Sequence, residues 1–200
     1  VVRLARTLRD RGHAFYVHML GDGELEPSVR EDVESAGLSD CFRFYGYTEP
    51  EGVRDVMERC HIHLFTSNYL EGWGAVVNEG MNSGCVEVVN AQVGAAPYLI
   101  RHGENGLVYP EGDYTKMEEL VIDLVEHWGE RRAMGQAAYE TVRDMWNADH
   151  AAKELLRFSN ELLRGMALPA QEGPLSMAPA ISPGKMYRVM MDKEQRQKLR

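Results

Sequence analysis

The sequence predicts an α/β fold, a parallel β-sheet with helices on its faces, on three observations. Short apolar runs alternate with amphipathic helical stretches, with little room between them, the pattern of repeated strand–helix units. Gly12, Gly37 and Gly84 each close a helical stretch, as a residue free to adopt the left-handed conformation does. The apolar runs end in Gly21-Asp22-Gly23, in Gly46 and in Thr66-Ser67, where the chain must turn from strand to helix.

The elements follow in order. Val1 to Arg11 places Val1, Leu4, Ala5 and Leu8 on one stripe with arginines elsewhere, so it is a helix stopped by Gly12. Phe15 to Leu20 is a strand, Ser28 to Ala36 a helix and Cys41 to Tyr45 a strand. Glu49 to Arg59 is a helix with Val53, Val56 and Met57 inward, and His61 to Phe65 the next strand. Ala75 to Ser83 is a helix and Val86 to Val89 a strand with the unbroken apolarity of a segment buried on both faces. Ala95 to Ile100 is a short helix, Gly103 to Gly106 a turn and Leu107 to Tyr109 a last short strand.

Helices are then expected over Lys116 to His127, Arg131 to Met145 and Ala148 to Leu163. The first carries Met117, Leu120, Val121 and Leu124 on one stripe, with Asp113 placed to cap it. After Gly165 the composition changes: Pro169, Pro174, Pro179 and Pro183 are half of the 8 prolines. The expected organisation is therefore one domain over residues 1–165 and an arm over 166–200, largely extended or disordered. Met186 to Met191 would form a strand if an edge were available, its own sheet's or a second copy's, and the charged last eight residues are expected to be mobile.

Composition narrows the class. The chain has 31 acidic against 22 basic residues, a formal charge of −9, which excludes a general nucleic-acid or anionic-membrane surface. No apolar run reaches the roughly 18–20 residues a membrane span needs. Val1 to His13 has arginines but no continuous apolar stretch, so it is not a signal peptide. Cys41, Cys60 and Cys85 are widely spaced and odd in number, which fits a reducing cytoplasm and neither a disulfide framework nor a zinc knuckle. His61 and His63 share one strand face, where packing and hydrogen bonding are expected and a metal is not. Glu87 is the oddest residue, an acid inside a run that reads as buried. An edge position, a nearby arginine or a retained proton is expected to explain it in preference to catalysis.

The chemistry concentrates in Glu71-Gly72-Trp73-Gly74-Ala75-Val76-Val77-Asn78-Glu79, two carboxylates separated by seven residues around a glycine turn that opens a helix. In open α/β sheets the crevice at the carboxyl ends of the strands is where ligands bind. Free N–H groups and partial positive charge at a helix start suit a phosphate. Glu71 projects from the loop and Glu79 lies on the second helical turn, an arrangement suited to gripping sugar hydroxyls. An acid favoured at any helix start accounts for one of them and poorly for both.

In this order and spacing the motifs resemble the group 1 retaining glycosyltransferases of GT-B architecture. They are Gly21-Asp22-Gly23, Phe44-Tyr45-Gly46, Thr66-Ser67, Glu71-Gly72-Trp73-Gly74, Glu79-Gly80-Met81, Ser83-Gly84-Cys85, Gly103-Glu104-Asn105-Gly106-Leu107-Val108 and Gly112-Asp113. The resemblance covers residues 1–165 and is to the C-terminal, donor-binding, Rossmann-like half of such enzymes. It implies transfer of a hexose from a nucleotide diphosphate sugar to a glycan or other acceptor with retention, in work such as polysaccharide assembly. Glu79 would accept the ribose hydroxyls, and Glu71, the catalytic candidate, would meet the donor sugar near its reacting face. Backbone N–H groups of Gly72, Trp73 and Gly74 would hold sugar and diphosphate, with Ser67 at the preceding strand end. Tyr45 and Gly46 would lie beside the base, and Gly21 and Gly23 would let the backbone pass close to the donor. Neither a metal nor a further cofactor is implied.

The resemblance has departures. The family carries a strand, then an Arg and a Lys that neutralise the diphosphate, before the helix with which this chain begins, so a fragment of a longer protein is expected. The acceptor, a glycan or lipid-linked molecule, would be bound by a missing N-terminal domain, through which peripheral membrane attachment is left open. Thr66 and Glu87 stand where a proline and an apolar residue are usual. The alternatives are a sugar-nucleotide epimerase of the same fold, which as a rule lacks the two-glutamate arrangement, and a nucleotide-sugar-binding module without turnover.

Overall fold

The structure, a computed structural model, describes residues 1–166, 169–170, 172–178 and 181–192. The charged tail expected over 193–200 lies outside them. The chain forms two compact units, Val1–Arg59 and Cys60–Arg200.

The first unit runs α1 (Val2–Asp10), β1 (Val17–Leu20), α2 (Glu26–Ser35), β2 (Phe42–Gly46) and α3 (Pro50–Met57). Strands β1 and β2 are parallel, with Val17 opposite Phe42 and Met19 opposite Phe44. The register slips after Met19, so that Leu20 faces Gly46, whose φ of 63° a side-chain-bearing residue rarely adopts. Helix α1 buries Leu4, Ala5 and Leu8, the stripe its periodicity predicts. Ala5 joins Val33, Leu38, Cys41 and Phe42 in the core of this unit.

The second unit runs β3 (Ile62–Phe65), α4 (Ala75–Asn82), β4 (Val86–Asn90), α5 (Ala96–Leu99), β5 (Gly106–Tyr109), α6 (Tyr114–Glu126), α7 (Trp128–Asp144), α8 (Ala148–Leu163) and α9 (Met186–Met191). Its strands lie in the order β3-β4-β5 and all pairings are parallel. Strand β4 is central and buried along its whole length, as an unbroken apolar run requires. Helix α4 packs on α7 and β4, and α6 on β5 and α7. Val77, Met81, Val89, Val93, Leu99 and Val108 lie within the core that results. Fully burying one such side chain stabilises by about 1.5–3 kcal/mol.

Polar groups finish the framework. Asp113 accepts the Lys116 N–H at 2.8 Å and caps α6 as expected, and Asn147 does the same for α8 through the His150 N–H at 2.8 Å. Asn105, fully buried, accepts the Arg101 N–H at 2.6 Å and donates to Leu99 O at 3.0 Å and Thr141 Oγ1 at 2.9 Å. It thereby ties the turn before β5 to α7. Among the described residues no helix is long and apolar enough to cross a membrane.

The largest differences from expectation are in two elements. Helix α7 begins at Trp128, not Arg131, because His127 alone separates it from α6. Met186–Met191 is a helix and not a strand, and it adds nothing to a sheet edge, so edge-strand self-association through it is corrected. Its apolar residues recur at helical spacing, Met186 with Met190 and Tyr187 with Met191, and methionine is a good helix former. A 3-10 turn at Pro183–Lys185 leads into it, and Met190, 2% exposed, enters the core of the second unit.

Candidate functional site

The candidate residues fall in both units, each set at the carboxyl ends of parallel strands. In the first unit, Gly21 and Gly46 form a bridge at the ends of β1 and β2, with the Gly21 N–H donating to Gly46 O at 2.9 Å. Gly21 has φ 96°, so both strand ends turn through conformations that glycine alone adopts readily. Tyr45 is half-exposed, its hydroxyl 2.8 Å from His18 Nδ1 and its ring stacked on that imidazole. Burial, helped by Arg59 and Arg43, lowers the His18 pKa. Gly23 is exposed and lines a shallow hollow with Asp22, Glu26, Pro27 and Arg30.

In the second unit the structure gathers Ser67, Glu71, Gly72, Trp73, Gly74 and Glu79 around the β3–α4 connection. Asn68 starts the loop: its side chain accepts the Leu70 N–H at 3.0 Å and its carbonyl the Glu71 N–H at 3.0 Å. Gly74 stands at the N-cap of α4 with φ 81° and ψ 59°. A Cβ there would lie 2.8 Å from Val93 Cγ1 and 3.2 Å from Phe65 Cε1. Glycine is therefore required twice, for the left-handed turn and for the close approach. The Glu71 side chain passes over this turn, its Cγ 3.5 Å from the same point, and is part-exposed. Glu79 lies on the second turn of α4 and is exposed.

The loop is braced from behind by residues that strand periodicity does not single out. Trp73 donates its indole N–H to Asn78 Oδ1 at 2.8 Å and stacks on Tyr98 at 5.8 Å, with Trp146 at 5.7 Å. The Trp73 carbonyl accepts the Ala95 N–H at 2.8 Å. A Cβ on Gly94 would run into the Gly72 carbonyl, with the Gly72 carbon 3.0 Å away. Gly94 thus lets the segment before α5 dock on the Gly72–Trp73 backbone.

Glu87 finds an explanation other than a nearby arginine. The β3–β4 register sets it opposite His63, whose Nδ1 lies 2.8 Å from Glu87 Oε2. Glu87 is wholly buried and its Oε1 has no hydrogen-bond partner among the described residues. Burial pushes the carboxyl up to about 7, against the pull of His63. For His63, burial alone would lower the pKa, but Glu87 and then Glu79 outweigh it, and the net direction is upward. The histidine pair is thus divided as expected between hydrogen bonding and packing, with His61 edge-on to Trp128 at 5.0 Å. The parallel alignment of two adjacent strands was the signal that could have paired His63 with Glu87.

Comparison with known proteins follows from this geometry. The profile of the family described as "Glycosyl transferases group 1" matches residues 1–141. The amylovoran biosynthesis glycosyltransferase AmsK of Erwinia amylovora is 24% identical over 166 residues, covering 80% of this chain and 40% of that protein. Among solved structures, the C-terminal domain of the group 1 glycosyl transferase LpcC from Francisella tularensis matches with TM-score 0.65 at 20% identity. That match covers 74% of this chain and 77% of that one. Anabaena HepE in complex with UDP-glucose matches with TM-score 0.59 at 19% identity, over 70% of this chain and 40% of that one. The chain therefore spans well under half the length of the relative AmsK, and its parallel sheets flanked by helices are those of GT-B glycosyltransferase domains. A glycine turn between two acids at a strand end, on that fold and under that profile, makes the chain a member of the group 1 glycosyl transferase family.

Proposed function

We propose that the whole protein transfers a hexose from a nucleoside diphosphate sugar to an acceptor, with retention and without a metal, and that this chain binds the donor. The observation that carries this reading is the α4 start: Gly74 caps it in a left-handed turn with no side-chain cap, with the Glu71 side chain against that turn and Glu79 on the second turn of the helix. The complex of Anabaena HepE with UDP-glucose supports this donor class on the same fold. Glu79 serves as acceptor for two vicinal ribose hydroxyls. Charge-assisted hydrogen bonds of that kind contribute about 1.5–3 kcal/mol each. Glu71 acts at the donor sugar, and the α4 start offsets charge on the departing diphosphate. Acceptor recognition, glycan or lipid-linked, and any membrane attachment belong to the rest of the protein, in the cytoplasm.

Calorimetric titration of the chain with UDP, GDP and ADP tests the reading, and binding without transfer is expected. Glu79→Ala weakens binding about thirtyfold, the equivalent of about 2 kcal/mol. In the whole enzyme Glu71→Ala lowers turnover and leaves donor affinity nearly unchanged. Absence of heat with all three nucleotides overturns the site, and equal, small effects of both changes overturn the division of roles.

A further inference from the structure

The pair His63–Glu87 sits directly behind the helix that carries Glu79. Glu87 is 0% exposed and His63 18% exposed at the side chain. Their contact with α4 is at Gly80, the residue after Glu79. A Cβ on Gly80 would overlap Glu87 Oε1 outright and would lie 2.9 Å from His63 Nδ1 and 3.2 Å from Glu87 Cδ. Helix-interior glycine costs about 1 kcal/mol relative to alanine, so its presence here is explained by what it lets in. We propose that His63 and Glu87 are positioning residues for the donor site: their buried, hydrogen-bonded pair, seated against Gly80, sets the height of α4 and the field at Glu79, and so ties nucleotide affinity to the single proton the pair shares. This inference rests on the donor-binding reading above.

The physics gives the effect a sign. With one proton between them, imidazole and carboxyl are together neutral, whether as an ion pair or as two uncharged groups. Loss of that proton leaves a net negative charge in a buried place beneath Glu79, which opposes both the Glu79 carboxylate and an incoming diphosphate. The surroundings supply little to compensate. From α4 the group facing the pair is Glu79, and from the residue before β4 the Cys85 thiol, which burial holds up to about 12 and so uncharged. Cys60, at the start of β3, acts on Cys85, and β5 presents Gly106 opposite Glu87. On α7, Arg131 acts on His61, not on the pair. Nucleotide affinity therefore falls as pH rises through the pair's deprotonation.

The test follows the amides of Asn78, Glu79 and Gly80 by NMR from about pH 5.5 to about pH 8.5, the range in which histidine titrates, beside calorimetry with UDP, GDP and ADP. The proteins are the wild type, Glu87→Gln, which keeps a hydrogen bond to His63 but no charge, and His63→Phe/Glu87→Leu, which replaces the pair by apolar groups. The wild-type amides shift in a step that the double variant lacks and that Glu87→Gln moves to lower pH, and wild-type affinity drops about fivefold or more across the range beyond any change in the variants. Should the double variant fail to fold, Glu87→Gln carries the comparison. Nucleotide binding with no amide step, or with the same pH profile in a folded variant, overturns the positioning role alone. An amide step without nucleotide binding overturns the donor reading and this inference with it.

Discussion

Gly80→Ala is the sharpest probe of the packing behind α4. In an isolated helix the change would stabilise by about 1 kcal/mol, since alanine is the best helix former and glycine a poor one. Here the new methyl meets Glu87 Oε1 with no room, and stands 2.9 Å from His63 Nδ1 and 3.2 Å from Glu87 Cδ. Neither neighbour is a loose chain end, because Glu87 is wholly buried and held by its 2.8 Å bond to His63. Overpacking of this kind costs about 1–3 kcal/mol, and lengthening the His63–Glu87 bond adds to it. Net of the propensity gain, a loss of about 1–2 kcal/mol is expected in urea unfolding at neutral pH. Glu87→Ala alone leaves a cavity and an unpartnered imidazole and costs more, about 2–4 kcal/mol. In Gly80→Ala/Glu87→Ala the methyl occupies vacated space, so the double variant is more stable than the sum of the single ones by about 1 kcal/mol or more. A Gly80→Ala protein as stable as the wild type, or more so, refutes the close approach.

Two further outcomes follow from the same framework. Gly94→Ala forces a methyl into the Gly72 carbonyl and pushes the Gly72–Trp73 backbone off its 2.8 Å bond to Ala95, and Trp73 fluorescence and nucleotide affinity change together while α6 and α8 keep their far-ultraviolet signal. Stability also depends on the buried acid. Glu87 is pushed up to about 7 and His63 is raised as well, so the folded pair keeps its shared proton to higher pH than the unfolded chain does. That contribution is complete below the ordinary histidine pKa of 6.5 and is lost as pH rises through the deprotonation of the pair. Relative to His63→Phe/Glu87→Leu, wild-type unfolding free energy should decline over this window, measured by urea titration at successive pH values. A difference that stays flat, or rises with pH, contradicts the buried proton.

How far the fold could be read before folding depended on whether the deciding interaction is local. Helix α8 has the bounds its periodicity predicts, and α4 starts after Gly74 and stops before Gly84, because the amphipathic repeat and the glycine stops act within a few residues. The Asp113 cap was legible for the same reason, its partner being three residues away. Met186–Met191 was not: a six-residue run with five apolar residues serves a strand or a helix equally, and the choice came from the core that Met190 enters.

The candidate site divides in the same way. Sequence alone determined that Glu71 and Glu79 flank a glycine turn at a helix start, since the turn and both acids lie within one short stretch; the structure shows that turn to be left-handed at Gly74. It also marked Glu87 as an acid out of place. Tertiary structure alone decided what answers that acid, because His63 reaches it through strand register and Gly80 through helix-on-sheet packing. It likewise decided that Tyr98, Trp146 and Gly94 brace the loop. Spacing along a chain carries the geometry of a turn, whereas contacts between distant segments exist only once burial of the core has set strand beside strand and helix upon sheet.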